Sequence, residues 1–226
     1  MDQYRGNRVA VILPCYNEAP AVASVVAGFR AALPEAAVYV FDNASTDGTA
    51  EVARTAGARV ITVTHRGKGN VVRRMFADVE ADIYLMADGD GTYDPGAARA
   101  MIDALLDGGL DMVVGCRASE ASGDAYRPGH RAGNRTLTGT VSRIFGDGFT
   151  DMLSGYRALS RRYVKSFPAL SKGFEIETEL TIHALELRAP HGEVMTAYGA
   201  RAAGTHSKLS TWGDGLRILG TILRLH

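Results

Sequence analysis

The feature that most constrains this chain is an alternation. Through its first half, short β-branched apolar runs take turns with stretches whose apolar residues recur at helical spacing. The runs "RVAVILP" (8–14), "AVYVFD" (37–42), "RVITVTH" (59–65), "DIYLMAD" (82–88) and "LDMVVGC" (110–116) read as strands. Helices are predicted between them, over 20–33, 45–57, 68–80 and 95–109. In the first of these, Val22, Val25, Val26, Phe29 and Leu33 share one face. Apolar strands that alternate with helices specify an α/β fold, a mostly parallel central sheet with helices on both faces. Ligands of such sheets sit at the carboxyl ends of the strands. The polar tails "PCYNE", "DNASTD", "HRGKGN" and "DGDGTYD" therefore converge on one cleft.

The second half is patterned differently. Residues 117–135 read as loop, 132–146 as partly helical, and "DMLSGYRALSRRYV" (151–164) as a strand running into a helix. A helix is expected over 174–187 and a strand over 192–202. There is no repeat, low-complexity tract or linker, so 1–226 reads as one domain. Lysine plus arginine equals aspartate plus glutamate, 25 each, so no global field argues for nucleic acid or a membrane surface. Any anion must be held by a local cluster. Cys15 and Cys116 have neither disulfide nor metal-ligand spacing and read as small core residues in a reducing compartment. The apolar run at the N-terminus is too short for a signal peptide, and no stretch approaches the length of a bilayer span.

Two familiar owners of an alternating pattern are excluded by their missing phosphate loops. Neither "GKGNVV" nor "GDGTYD" completes G-x-G-x-x-G, and no G-x-x-x-x-G-K-[ST] is present. What the cleft does carry is acidic. In "MADGDGTYDP" (86–95), Asp88 and Asp90 end a buried strand with glycines between and after them. Like charges this close need either water or a cation. Asp-Gly turns are common on surfaces. A strand aimed at the cleft favours the cation, and a hard divalent ion takes oxygen ligands and bridges a diphosphate. Asp42, at a strand end, can accept from a ribose hydroxyl or a base N–H, while Ser45 and Asp47 suit a helix cap better. Lys68 opens a helix, where an ammonium and backbone N–H groups can meet phosphate, or it is a solvated surface lysine. From Ala125 to Gly146 there is no acidic residue, yet Arg127, His130, Arg131, Arg135 and Arg143 fall there, and Arg117 ends the preceding strand. Arginine forks suit phosphate oxygens; Arg143 and Arg127 also suit a solvated helix face.

In this order, "ILPCYNEA", "FDNASTDGT", "RGKGN", "DGDGTYDP" and "DMLSGYRALSRR" resemble the family 2 glycosyltransferases of the GT-A fold. Within them the chain is similar to the branch that makes polyprenyl-phosphate sugars, from about Val9 to about Arg162. The resemblance implies that Asp42 binds the nucleotide, with Pro14, Tyr16 and Glu18 lining the same pocket. It makes Asp88 and Asp90 the DxD ligands of Mg²⁺ or Mn²⁺, with Gly89 letting the backbone approach the diphosphate. One position departs: polyprenyl-sugar synthases often carry a glutamine ligand where this chain has Thr92. Arg117 and Arg131 match positions that grip the lipid phosphate. Residues 1–116 would then hold the nucleotide-sugar donor and 117–226 the acceptor.

The implied reaction is inverting transfer of a hexose from a UDP- or GDP-sugar to a polyprenyl phosphate. The alternative is transfer to a hydroxyl of a glycan or lipid, with Asp151 as general base; Asp151 can otherwise be structural, holding Arg157 or backbone amides. Glu175 or Glu177 would line the sugar pocket, while His183 and His206 read as structural or exposed. The stripe Leu216, Leu219, Ile222 and Leu223 would let a helix over 212–226 lie on a bilayer interface or pack on the core. The expected location is cytoplasmic, at the inner face of the cell membrane. A nucleotidyltransferase is disfavoured because "PCYNE" lacks a Gly-rich basic first loop.

Overall fold

The computed structural model describes residues 3–118, 130–146, 148–201 and 217–222, with 130–136 described for the backbone only. The strands are β1 (Val9–Cys15), β2 (Ala37–Asp42), β3 (Arg59–Thr62), β4 (Ile83–Met86), β5 (Met112–Arg117), β6 (Arg157–Ser160) and β7 (His191–Thr196). The helices are α1 (Ala19–Ala32), α2 (Thr49–Thr55), α3 (Lys68–Asp78), α4 (Ala98–Asp107), α5 (His130–Phe145), α6 (Arg161–Ser166) and α7 (Ile176–Glu186). The seven strands form one sheet in the order β3-β2-β1-β4-β6-β5-β7. All pairs are parallel except those of β6, which runs antiparallel between β4 and β5.

The alternation anticipated for β1 is strict. Val9, Val11, Leu13 and Cys15 face one buried layer with α1 and α4, and Ala10 and Ile12 face the other with α3 and α7. A strand covered on both faces needs no polar side, which is why it reads as a continuous apolar run. Chain direction diverges on the two sides of β1, toward β2 and toward β4, and such a switch point opens a crevice at the strand ends.

The largest differences from the predicted elements lie at their ends. β3 stops at Thr62 because Asn43 Nδ2 draws the carbonyls of Val63 and His65 toward β2, at 3.0 and 2.8 Å. α2 begins only at Thr49, with Gly48 and not Ser45 or Asp47 at its N-cap and no side-chain cap bond; Asp47 Oδ1 instead accepts the Thr49 amide at 3.0 Å in a local turn ahead of the helix. Helical residues 217–222 bury Ile218 and Ile222 against Val141, Met152 and Ile182, while Leu219 stands 39% exposed. Within this piece the apolar face packs on the core, not on a bilayer; Leu216 and Leu223 lie outside the described residues. No helix among the described residues is long and apolar enough to cross a membrane.

Both cysteines are buried core residues. Burial raises the Cys15 thiol and pushes Cys116 up to about 12. Since the thiolate is the reactive form, Ellman's reagent at pH 8 should titrate neither in the native protein and both in denaturant. Rapid reaction of either native thiol would contradict this burial.

Candidate active site

The carboxyl ends of β1 and β4 and the start of α3 enclose a cavity of about 400 Å³. Its walls include Pro14, Tyr16, Glu18, Lys68, Asp88, Gly89, Asp90 and Arg117, so most of the expected site residues meet in one place. Leu153, Phe174, Glu177, Tyr198, Arg201 and Ile218 join them from the second half.

The turn after β4 is shaped by its glycines. A Cβ on Gly89 would lie 2.2 Å from Cys15 Sγ, so only glycine lets the turn lie against the end of β1. Asp90 is 2% exposed. Its Oδ1 accepts from the Thr92 hydroxyl at 2.7 Å and the Thr92 amide at 3.1 Å, and its Oδ2 meets Arg201 Nη1 at 2.6 Å. Thr92, where a further metal ligand was in question, thus serves to orient Asp90.

Asp88 is matched from the other side. The Lys68 ammonium lies 2.5 Å from Asp88 Oδ1 and 2.5 Å from Glu177 Oε1, with the lysine side chain only 10% exposed. Burial opposes its charge, but the Coulombic pull of Asp88 and Glu177 outweighs that and holds Lys68 above the ordinary lysine range. Lys68 is therefore not a solvated lysine, and in this state its ammonium is paired with two carboxylates of the protein rather than presented to a phosphate. The start of α3 is also committed: the Gly67 amide donates to Asn43 Oδ1 at 2.8 Å and the Gly69 amide to the Lys172 carbonyl at 3.1 Å. Gly155 closes the floor, since a Cβ there would lie 3.0 Å from Asp88 Oδ2 and 3.2 Å from Lys68 Nζ.

The loops after β1 and β2 are zipped together. The Asn17 amide donates to Ser45 Oγ at 2.9 Å and the Glu18 amide to Thr49 Oγ1 at 2.9 Å. The Arg66 guanidinium lies over the Tyr16 ring, 4.4 Å from its centroid. Asp42 is 4% exposed and, unlike Asn43, does not line the cavity. Its Oδ2 accepts the Ser45 amide at 3.3 Å, and its buried Oδ1 has no hydrogen-bond partner among the described residues.

Arg117 and Asp151 form a two-pronged pair. Nε lies 2.7 Å from Oδ2 and Nη2 2.6 Å from Oδ1, and the Arg117 amide adds a third bond to Oδ2 at 3.2 Å. Arg117 lines the cavity, and Asp151 stands behind it. Arg157 is not the partner of Asp151. It is fully buried, and its Nη2 donates to the carbonyls of Met152 and Glu177 at 2.6 and 3.1 Å, which ties the 151–155 loop to α7. Arg131 lies on α5 with its side chain outside the described residues, as are Arg127 and His206.

Glu177 lines the cavity, but Glu175 and Glu179 do not: they accept backbone amides of 170–173. His183 is structural, with Nε2 3.1 Å from Ser166 Oγ between Tyr163 and Phe167. Arg201 had no local signal in the sequence. Its placement depends on a single antiparallel bridge between Tyr198 and Tyr93.

The family model described as glycosyl transferase family 2 matches residues 10–167. The chain belongs to glycosyl transferase family 2. It is 38% identical over 208 residues to the glycosyltransferase AglJ of Haloferax volcanii, covering 92% of this chain and 68% of that one. It is 28% identical over 225 residues to a dolichyl-phosphate hexose transferase of the same organism, covering 100% of this chain and 96% of that one. Glucosyl-3-phosphoglycerate synthase of Mycobacterium tuberculosis, solved with Mn²⁺, UDP and phosphoglyceric acid, superposes with a TM-score of 0.78 at 25% identity, covering 98% of this chain and 79% of that one. The sheet and its helices are thus the GT-A fold, and the protein is a glycosyltransferase.

The donor set fits a divalent cation held jointly with a substrate. Among the described residues no three acidic, histidine or cysteine side chains converge. Asp88 and Asp90 supply two carboxylates, which leaves the remaining positions of a hard ion to diphosphate and water oxygens.

Proposed function

We propose that the protein transfers a hexosyl group from a nucleoside-diphosphate sugar to a polyprenyl phosphate, with inversion. The observation that carries this reading is the Arg117–Asp151 pair. Both oxygens of Asp151 are spent on Arg117, so its part is to hold the guanidinium fork at the cavity wall. Asp151 takes the Nε and Nη2 prongs, so a phosphate acceptor would meet the outer Nη edge of a guanidinium fixed at the cavity wall. A phosphate is already an anion and needs no general base, whereas a hydroxyl needs one. The name of the dolichyl-phosphate hexose transferase adds support along the full length of the chain.

In this reading a phosphate oxygen of the acceptor attacks the anomeric carbon opposite the diphosphate, whose bond to that carbon breaks. Asp88 and Asp90 would hold Mg²⁺ or Mn²⁺, and the ion would supply positive charge for the departing diphosphate. Pro14, Tyr16 and Glu18 line the nucleoside end, and Asp42, buried behind them with Oδ1 unpartnered among the described residues, would meet a nucleoside N–H or hydroxyl only after the loops that follow β1 and β2 shift. Gly89 admits the diphosphate; Arg117 and Arg131 orient the acceptor phosphate. Reaction at the inner face of the membrane follows from the acceptor.

The test is a donor screen of UDP- and GDP-sugars with Mn²⁺, with and without polyprenyl phosphate, reading lipid-linked sugar. Release of diphosphate that depends on the lipid is expected, and release indifferent to it would refute the acceptor. Asp151→Asn should raise the acceptor KM about tenfold and lower kcat by less than that, since it loosens Arg117. A loss of kcat on the order of 10² to 10⁴ would instead mark Asp151 as a base and the acceptor as a hydroxyl.

A further inference from the structure

The aspartates of the metal-binding turn are already matched to cations that the protein itself supplies. Asp88 meets Lys68, and Asp90 meets Arg201 at 2.6 Å. The two cations differ in how they are held. Lys68 is clamped between two carboxylates, Asp88 and Glu177. Arg201 has a side chain 33% exposed and reaches the cavity from a strap that is tied to the turn it serves. Tyr198 pairs with Tyr93, and the Gly199 amide donates to the Thr92 carbonyl at 2.8 Å. The backbone of the strap is fixed beside Asp90, while the guanidinium at its end faces the cavity.

A divalent cation that arrives alone has to take Asp90 from Arg201. It would leave a guanidinium beside a metal ion with no anion to face, and like charges at short range in a poorly hydrated site repel strongly. A nucleoside diphosphate removes this penalty, because its oxygens offer Arg201 a new anion in the same cavity.

We infer that Arg201 is an exchangeable counter-ion, which leaves Asp90 for the donor diphosphate when a divalent cation takes Asp90. This rests on the proposed donor reading. Metal and nucleoside diphosphate then bind as a coupled pair, and linkage requires each to raise the affinity for the other by the same factor. Arg201 is thereby assigned as a positioning residue of the donor site.

The experiment is a titration of the full chain with Mn²⁺ alone, read as loss of the free-ion signal by electron paramagnetic resonance. It is repeated with UDP and with GDP, for the wild type, Arg201→Gln and Arg201→Lys. In the wild type one diphosphate should raise Mn²⁺ affinity at least about tenfold. Arg201→Gln should bind Mn²⁺ alone about tenfold more tightly, and its coupling should shrink to roughly twofold. Arg201→Lys, which keeps the charge, should stay near the wild type. Arg201→Gln with unchanged Mn²⁺ affinity and unchanged coupling would overturn the inference while leaving the donor reading intact. Failure of both diphosphates to bind the wild type in the presence of Mn²⁺ would overturn both.

Discussion

Asp90→Asn should fold as the wild type does and transfer sugar on the order of a thousandfold more slowly, because a lost cation site removes several kcal/mol of charge stabilisation. The substitution isolates charge from shape. Asparagine keeps an oxygen for the hydroxyl and amide of Thr92, which now bind Asp90 Oδ1. What it loses is the anion that Arg201 meets and that a bound metal ion would need. In this variant no metal ion takes the place of Arg201 and no like charge confronts it, so the partly exposed guanidinium loses its anion at modest cost. The melting temperature should therefore move by only a few degrees. Mn²⁺ affinity measured with UDP should fall with the rate. Turnover within tenfold of the wild type would show that the turn after β4 does not hold the metal.

The acidic turn was legible because its signal is local. An apolar strand, two aspartates and two glycines lie within ten residues, and the reason for Gly89 is a contact with Cys15 at the end of the neighbouring strand. The parallel strands were legible for the same kind of reason, since each carries its own apolar run. The insertion of β6 between β4 and β5 was not. "YRALS" states that a strand forms there, but its antiparallel partners lie far along the chain on either side. The C-terminal stripe shows the limit of a periodicity argument. Leu219 was placed on the same face as Ile222, whereas the face that packs is Ile218 with Ile222, one turn apart.

Among the site residues, those whose roles depend on pairing were the least legible. Arg117 was assigned the acceptor phosphate, and Asp151 either a base role or a structural one beside Arg157, yet Arg117 and Asp151 bind each other across a separation of 34 residues. Glu177 and Lys68 were read in separate contexts, although one ammonium joins them to Asp88. Sequence patterns identify which residues reach the cleft. Which charges neutralise which is decided by the packing of α3 against α7, and no spacing rule encodes that.

Lys68→Met is expected to carry the largest stability cost of any change in the cavity, about 3 to 5 kcal/mol, because it leaves two carboxylates near one another without their cation. For a chain of this size that lowers the melting temperature by roughly 10 °C. Side-chain exposure is 10% for Lys68, 6% for Glu177 and 27% for Asp88, so water compensates Asp88 in part and Glu177 hardly at all. Methionine matches the length of the lysine stem, and the loss is one of charge more than of volume. The double variant Lys68→Met with Glu177→Gln separates this from mere packing. It removes one of the two stranded charges, so it should recover more than half of the lost stability, a coupling that a double-mutant cycle in urea measures directly. Additive losses would mean that the ammonium is not what holds Asp88 and Glu177 together. Recovery of stability without recovery of transfer would show that Lys68 or Glu177 serves the reaction beyond holding α7 against the turn after β4.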